Sequence, residues 1–200
     1  MGLFSASANK HFLHGNELYK RRKLGKAIKE YREAARLEPD NHHYHNNLGL
    51  SLYWSGQKEE GIKEYHEALR LKPDHPDSHY NLGFAHMLDK QFDDAIREFL
   101  EVIRIDPGNI DARINLSLIY IGQGRYDDAI NECREAIKVN PDSSGAHANL
   151  AGALDRKGMP DEAIQEYRTA LRLNPGNKGL QEQIRLAEER LKEGTGSPGG

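Results

Sequence analysis

Cysteine is nearly missing from this chain. Cys133 stands alone, which excludes an internal disulfide and any zinc site built from several thiolates, and fits a reducing, cytoplasmic setting. Long apolar runs are missing too. None approaches the roughly 18 residues that a membrane-spanning helix takes, so no stable membrane insertion is expected. Hydrophobic residues are only 37% of the chain, low for a globule, against 30% charged. Neither sign of charge dominates: a formal net charge of -3 gives no strong pull toward nucleic acid or anionic lipid. The start, "MGLFSASANK", has no basic region followed by an apolar core, so it does not read as a secretory signal. Gly2 after Met1 resembles an acylation site, but Ala6 stands where that signal wants Ser or Thr. Residues 1–7 are expected to be a flexible terminus.

What the chain has in abundance is repetition. "NNLG" at 46–49 returns as "YNLG" at 80–83, "INLS" at 114–117 and "ANLA" at 148–151, always at one fixed interval. Pro39, Pro73, Pro107, Pro141 and Pro175 keep the same interval, each closing an amphipathic stretch such as "LRLKP" or "IKVNP". Five units follow in register: 8–41, 42–75, 76–109, 110–143 and 144–177. A constant 34-residue period is the mark of stacked supersecondary units that cannot bury their faces alone. Small residues recur at the eighth position of the unit (Gly15, Gly49, Gly83, Ser117, Ala151) and at the twentieth (Ala27, Gly61, Ala95, Ala129, Ala163). An aromatic recurs at the twenty-fourth (Tyr31, Tyr65, Phe99, Tyr167), with Cys133 as the exception; the twenty-seventh is Ala except at Val102. Small residues on facing helices let their axes approach, and the aromatic fills the space alongside. Gly56, Gly124 and Gly158 fall where a first helix must stop and turn, and Pro160 suits the first turn of a second.

This pattern resembles the tetratricopeptide repeat (TPR) family over most of the chain. The resemblance implies an all-α fold, a right-handed α-solenoid of antiparallel helix pairs. Residues 178–193, with Leu180, Ile184, Ala187 and Leu191 on one side, read as a polar-backed capping helix. Residues 194–200, "GTGSPGG", read as a flexible tail or linker.

At about 100° per residue, positions four, seven, eight and eleven of a first helix share one arc and face the second helix. In the family the opposite arc lines a concave groove where partners bind. In this sequence that arc carries Tyr53 and Trp54, then Tyr80, Phe84, Met87 and Leu88, then Ile114 and Leu118, before turning polar in the fifth unit. Exposed apolar patches of this size usually mark a binding surface. A line of amides, Asn47, Asn81, Asn115 and Asn149, runs along it. Such a ladder can hold a peptide by its backbone, and the repeats of O-linked N-acetylglucosamine transferases carry a similar one; it can equally serve packing.

Other chemistry finds less support. Some family members clamp the acidic C-termini of heat-shock chaperones between cations. Asn16 and Asn47 match that clamp, but Phe12, Asp77 and Asn81 stand where its Lys, Lys and Arg belong, so this partner is not expected. His11, His45, His79 and His147 each take the fourth position of a unit, one per repeat and too far apart to share an ion; each is read as half-buried with one hydrogen bond. "HHYH" at 42–45 lacks a fixed second pair of ligands, so no metal site is expected. No nucleophile with a base at motif spacing, no phosphate loop and no cofactor fingerprint is present. "KRRK" at 20–23 sits at a helix–helix corner, and the expected groove has few cations for nucleic acid. The sequence therefore points to a non-enzymatic scaffold or adaptor that binds a protein segment with an apolar anchor. Self-association through the same arc, or service as the regulatory arm of a larger enzyme, are the competing readings.

Overall fold

The computed structural model describes residues 3–195, with side chains from 5 to 192. Gly2 and residues 196–200, and with them the acylation candidate and most of the expected tail, lie outside the described residues. Eleven helices and no strand occupy the described residues: α1 (Leu3–Lys20), α2 (Leu24–Leu37), α3 (His42–Trp54), α4 (Lys58–Leu71), α5 (Pro76–Leu88), α6 (Phe92–Ile105), α7 (Ile110–Gly122), α8 (Tyr126–Val139), α9 (Ser144–Arg156), α10 (Pro160–Leu173) and α11 (Lys178–Thr195). The starts of α3, α5, α7, α9 and α11 step by the interval of the sequence repeat, as do those of α2, α4, α6, α8 and α10. The fold is an all-α helical solenoid.

Two expectations shift at the ends. Helix α1 begins at Leu3, inside the segment expected to be flexible. Neither proline nor glycine occurs in 3–14 to break a helix, and Ala8 is buried with Ala34 and Tyr44, which gives the extra turn something to pack on. Helix α11 continues to Thr195, just past the expected boundary. Its Leu180 and Ala187 are buried, and Arg168 bonds Glu188 at 2.9 Å, tying α10 to the cap.

Each helix pair turns at a corner of the same backbone conformation. The corner positions 22, 56, 90, 124 and 158 all lie in the left-handed region, with φ of 56° at Arg22, 93° at Gly56, 60° at Lys90, 75° at Gly124 and 88° at Gly158. Asn41, Asn109 and Ser143 cap α3, α7 and α9 by accepting backbone N–H groups of the first turn. In the second pair both close-approach positions are glycine: a Cβ on Gly49 would stand 2.8 Å from the Gly61 carbonyl oxygen and 2.9 Å from the Tyr65 ring. In the fourth pair, where Ser117 adds volume on the first helix, Cys133 replaces the aromatic on the second. Burial pushes the Cys133 thiol up to about 11, offset in part by its hydrogen bond with Ser117.

The chain divides into two compact units, Met1–Ile105 and Asp106–Gly200. In the first, Leu18, Ala27, Ile28, Tyr31, Leu48 and Leu52 form one buried cluster and Tyr53, Tyr65, Leu82 and Ala85 another. In the second, Leu116, Ile130, Cys133, Leu150, Leu154, Ile164 and Tyr167 are buried. No described helix is long and apolar enough to cross a membrane.

Candidate functional site

The fourth position of the second, third, fourth and fifth repeats makes two side-chain hydrogen bonds, where one was expected of the histidines. His45 Nδ1 bonds Glu64 at 2.7 Å while its Nε2 bonds the Pro39 carbonyl at 2.8 Å. His79 does the same with Glu98 (2.6 Å) and Pro73 (2.7 Å), and His147 with Glu166 (2.6 Å) and Pro141 (2.9 Å). In the fourth repeat Arg113 takes over, donating to Glu132 at 2.6 Å and to the Pro107 carbonyl at 3.1 Å. His11 bonds Glu30 at 2.7 Å. The clasp ties the first helix of a repeat to its second helix and to the loop before it. At His45 and His79 two acceptors call for two ring donors, which is the imidazolium. The hydrogen bond to Glu64 holds the His45 pKa above its ordinary value against the opposing effect of burial. At His79 burial pulls downward, and Glu98 and Pro73 together outweigh it. The sequence signal for this clasp was there: Glu30, Glu64, Glu98, Glu132 and Glu166 recur with the period of the repeat, always 19 after the His or Arg.

The expected groove residues separate into three kinds. Tyr53 is a correction: it is only 5% exposed, packs with Tyr65, Leu82 and Ala85, and its hydroxyl donates to the Ala85 carbonyl at 3.4 Å. It is core between two successive repeats. Trp54, one residue on, is 50% exposed. Its ring meets Tyr53 edge-on at 5.9 Å and lies 6.2 Å from Phe84, which stacks on Tyr80 at 6.3 Å. Tyr80, Asn81, Phe84 and Met87 are half-buried and Leu88 is exposed. Leu50, Tyr53, Trp54, Tyr65, Tyr80, Asn81 and Phe84 line a cavity of about 180 Å³. Trp54 also borders a larger cavity of about 710 Å³ with Tyr19, Lys20, Arg22 and Leu24. In the second unit Ile114, Asn115 and Asn149 are half-buried, and Leu118 is 51% exposed.

The amide ladder is bonded into the protein to differing degrees. Asn47 donates to Asn16 Oδ1 at 3.1 Å and accepts from Asn46 at 3.2 Å. Asn16 also accepts from Tyr31 at 2.8 Å, and burial pushes the Tyr31 phenol up to about 12. Asn81 donates to Asn46 Oδ1 at 3.0 Å, as does Ser78 Oγ at the same distance. Asn149 donates to the Ile114 carbonyl at 3.1 Å and to Ser117 Oγ at 3.0 Å. Asn46 is therefore the buried hub of the first unit's network, at 5% exposure, although its helical phase alone puts it on the outward arc. Phe12, at the position of a chaperone-clamp cation, packs its ring 4.9 Å from Tyr44 and 5.9 Å from Tyr31.

Comparison with known proteins agrees with this architecture. TPR models match residues 15–56 and 51–90, 76–109, and 114–178. No curated protein sequence matches the chain. Among solved structures, MamA from Desulfovibrio magneticus superposes with a TM-score of 0.77 at 21% identity, covering 89% of this chain and 99% of that one. PilF of Pseudomonas aeruginosa gives 0.80 at 16% identity, covering 97% and 95%. YrrB, described as a TPR protein with an unusual peptide-binding site, gives 0.74 at 16% identity, covering 92% and 98%. At these identities the likeness is one of fold. With four model matches along the chain and helix pairs that recur at one constant interval, this protein belongs to the tetratricopeptide repeat family, a fold that suggests a protein–protein interaction scaffold.

Proposed function

We propose that the chain is a non-catalytic adaptor that takes up a partner protein segment on the aromatic face around Trp54. The observation that carries this is the half-exposed indole. A large apolar ring left half in water borders two cavities, with Phe84 and Tyr80 nearby. An aromatic anchor of this kind can supply a few kcal/mol when a partner desolvates it. Lys20 and Arg22 border the larger cavity, so a segment with an apolar anchor and an acidic neighbour fits best. Among the described residues Asn81 keeps its Oδ1 and one N–H unbonded, available to a partner's backbone, whereas the Asn47 amide is committed within the protein. In the second unit, taken by itself, Ile114, Asn115, Leu118 and Asn149 are proposed as a further partner-contact surface. A cytoplasmic location belongs to the same reading, on the strength of the single thiol of Cys133.

The test is capture of partners by the wild-type chain and by Trp54→Ala. The variant should lose the partners while its far-UV circular dichroism stays unchanged. Equal capture by both would overturn the assignment. Association of the protein with itself, abolished by the same substitution, would mark the face as a homotypic contact instead.

A further inference from the structure

The sequence offered "HHYH" no additional ligand, but the fold brings one from the far end of the same repeat. His42 and His43 open α3, and His75 immediately precedes Pro76, which opens α5. The repeat sets these two helix starts beside each other. The His42 ring lies 4.0 Å from that of His43 and 4.6 Å from that of His75, and His43 and His75 are 5.1 Å apart. One ring nitrogen from each lies within 4.8 Å of the other two. We propose that His42, His43 and His75 form a binding site for one divalent transition-metal ion, zinc being the occupant that the three-imidazole set fits.

Two further features support a ligand here. The Nε2 of His42 is buried and has no hydrogen-bond partner among the described residues, a state that carries a desolvation cost unless something fills it. The His75 ring is oriented from behind. Ser78 Oγ has one proton and gives it to Asn46 Oδ1 at 3.0 Å, so toward His75 Nδ1, at 2.8 Å, it accepts. This assigns the proton of His75 to Nδ1 and leaves the Nε2 lone pair for a metal. A hydroxyl backed by a buried amide serves here as the outer partner that metal-bound histidines usually have.

The electrostatics set the terms of binding. Both helix N-termini carry partial positive charge, and Lys72 adds to it; the Asp77 carboxylate works the other way at His75. Affinity therefore comes from three dative bonds, which favours zinc and its neighbours over calcium or magnesium. Zn–N bonds of about 2.0–2.1 Å place tetrahedral nitrogens roughly 3.3 Å apart, so the rings, now with nitrogens within 4.8 Å of one another, draw together by side-chain rotation on binding. Pro39, Asp40, Asn41, His42 and His43 border an open cavity of about 620 Å³, which gives the ion an approach and room for a water as the fourth ligand. The bound ion would join the first residues of the second repeat to its last, at the start of α5.

The experiment is zinc titration of the full chain without a histidine tag, followed by competition with a chromogenic chelator. One equivalent should bind, and the melting temperature should rise. His43→Gln, an exposed position that cannot be excused by misfolding, should weaken binding at least tenfold and remove the thermal shift. His42→Gln should do the same, while His86→Gln, outside the cluster, should change neither. X-ray absorption on the zinc-loaded chain should show about three imidazole ligands and no sulfur. No stoichiometric binding, or wild-type affinity in His42→Gln and His43→Gln, would overturn the proposal. This outcome is independent of partner binding at Trp54.

Discussion

Replacing Gly49 by Ala should destabilise the protein, although alanine is the better helix former. An exposed helical Gly→Ala change gains about 0.8–1 kcal/mol from backbone preference. At Gly49 the new methyl carbon would stand 2.8 Å from the Gly61 carbonyl oxygen and 2.9 Å from two carbons of the Tyr65 ring. Ordinary contact begins at 3.4 Å, so α3 must withdraw from α4 by several tenths of an ångström. The carbonyl is held in a helix and Tyr65 is 1% exposed, so neither yields freely. Overpacking of this sort costs about 1–3 kcal/mol, and the contacts under 3.0 Å place this site in the upper part of that range, leaving a net loss of up to about 2 kcal/mol after the propensity gain. Gly25 provides the control, because it lies in the first turn of α2 with nothing within 4 Å of its Cβ position. Urea denaturation followed by far-UV circular dichroism should give a lower midpoint for Gly49→Ala and an equal or higher one for Gly25→Ala. Equal or greater stability of Gly49→Ala would refute the claim that this helix pair depends on two glycines at closest approach.

Two other perturbations address the clasp and the amide network. The raised pKa values of His45 and His79 mean that the folded state holds their protons more tightly than the unfolded chain. The clasp's contribution is therefore full below the unfolded pKa of about 6.5 and is lost as pH rises through the folded value. With chelator present, the melting temperature should fall over that interval, and His79→Gln should flatten the fall; an unchanged slope would count against the ionic clasp. His75 has the opposite sign but is neutral in the folded state well below this window. Asn46→Ala should cost about 2–3 kcal/mol, since it leaves Ser78 and Asn81 without their acceptor in a buried site. Asn81→Ala, measured in the same urea experiment, should cost less than half as much; equal costs would make Asn81 a structural residue rather than a partner contact.

Much of the fold could be read from the sequence because one constant period fixes both helices and both close-approach positions at once. The helix starts at 42, 76, 110 and 144 and the buried Leu48, Leu52 and Tyr65 follow directly from it. The site was legible only in part, and the reason is visible in adjacent residues. Tyr53 and Trp54 fall on one arc of an isolated helix, yet Tyr53 meets Leu82 and Ala85 of the next repeat while Trp54 does not enter that core. Helical phase within one repeat says nothing about the neighbour that covers it. The hub role of Asn46 is hidden for the same reason, since its donors Ser78 and Asn81 belong to the next repeat. The approach of His75 to His42 and His43 also depends on two helix starts abutting, which no local spacing records.

The central claim is that Trp54 reports an open binding face. As the only tryptophan, it can be followed without ambiguity. In dilute protein its emission should be red-shifted and open to quenching by acrylamide. Titration with a captured partner segment should move the emission to the blue and protect it from the quencher, with weakening by salt if Lys20 and Arg22 contact an acidic flank. A blue, unquenchable Trp54 in the free monomer, or an emission that does not respond to a segment that binds, would contradict the account.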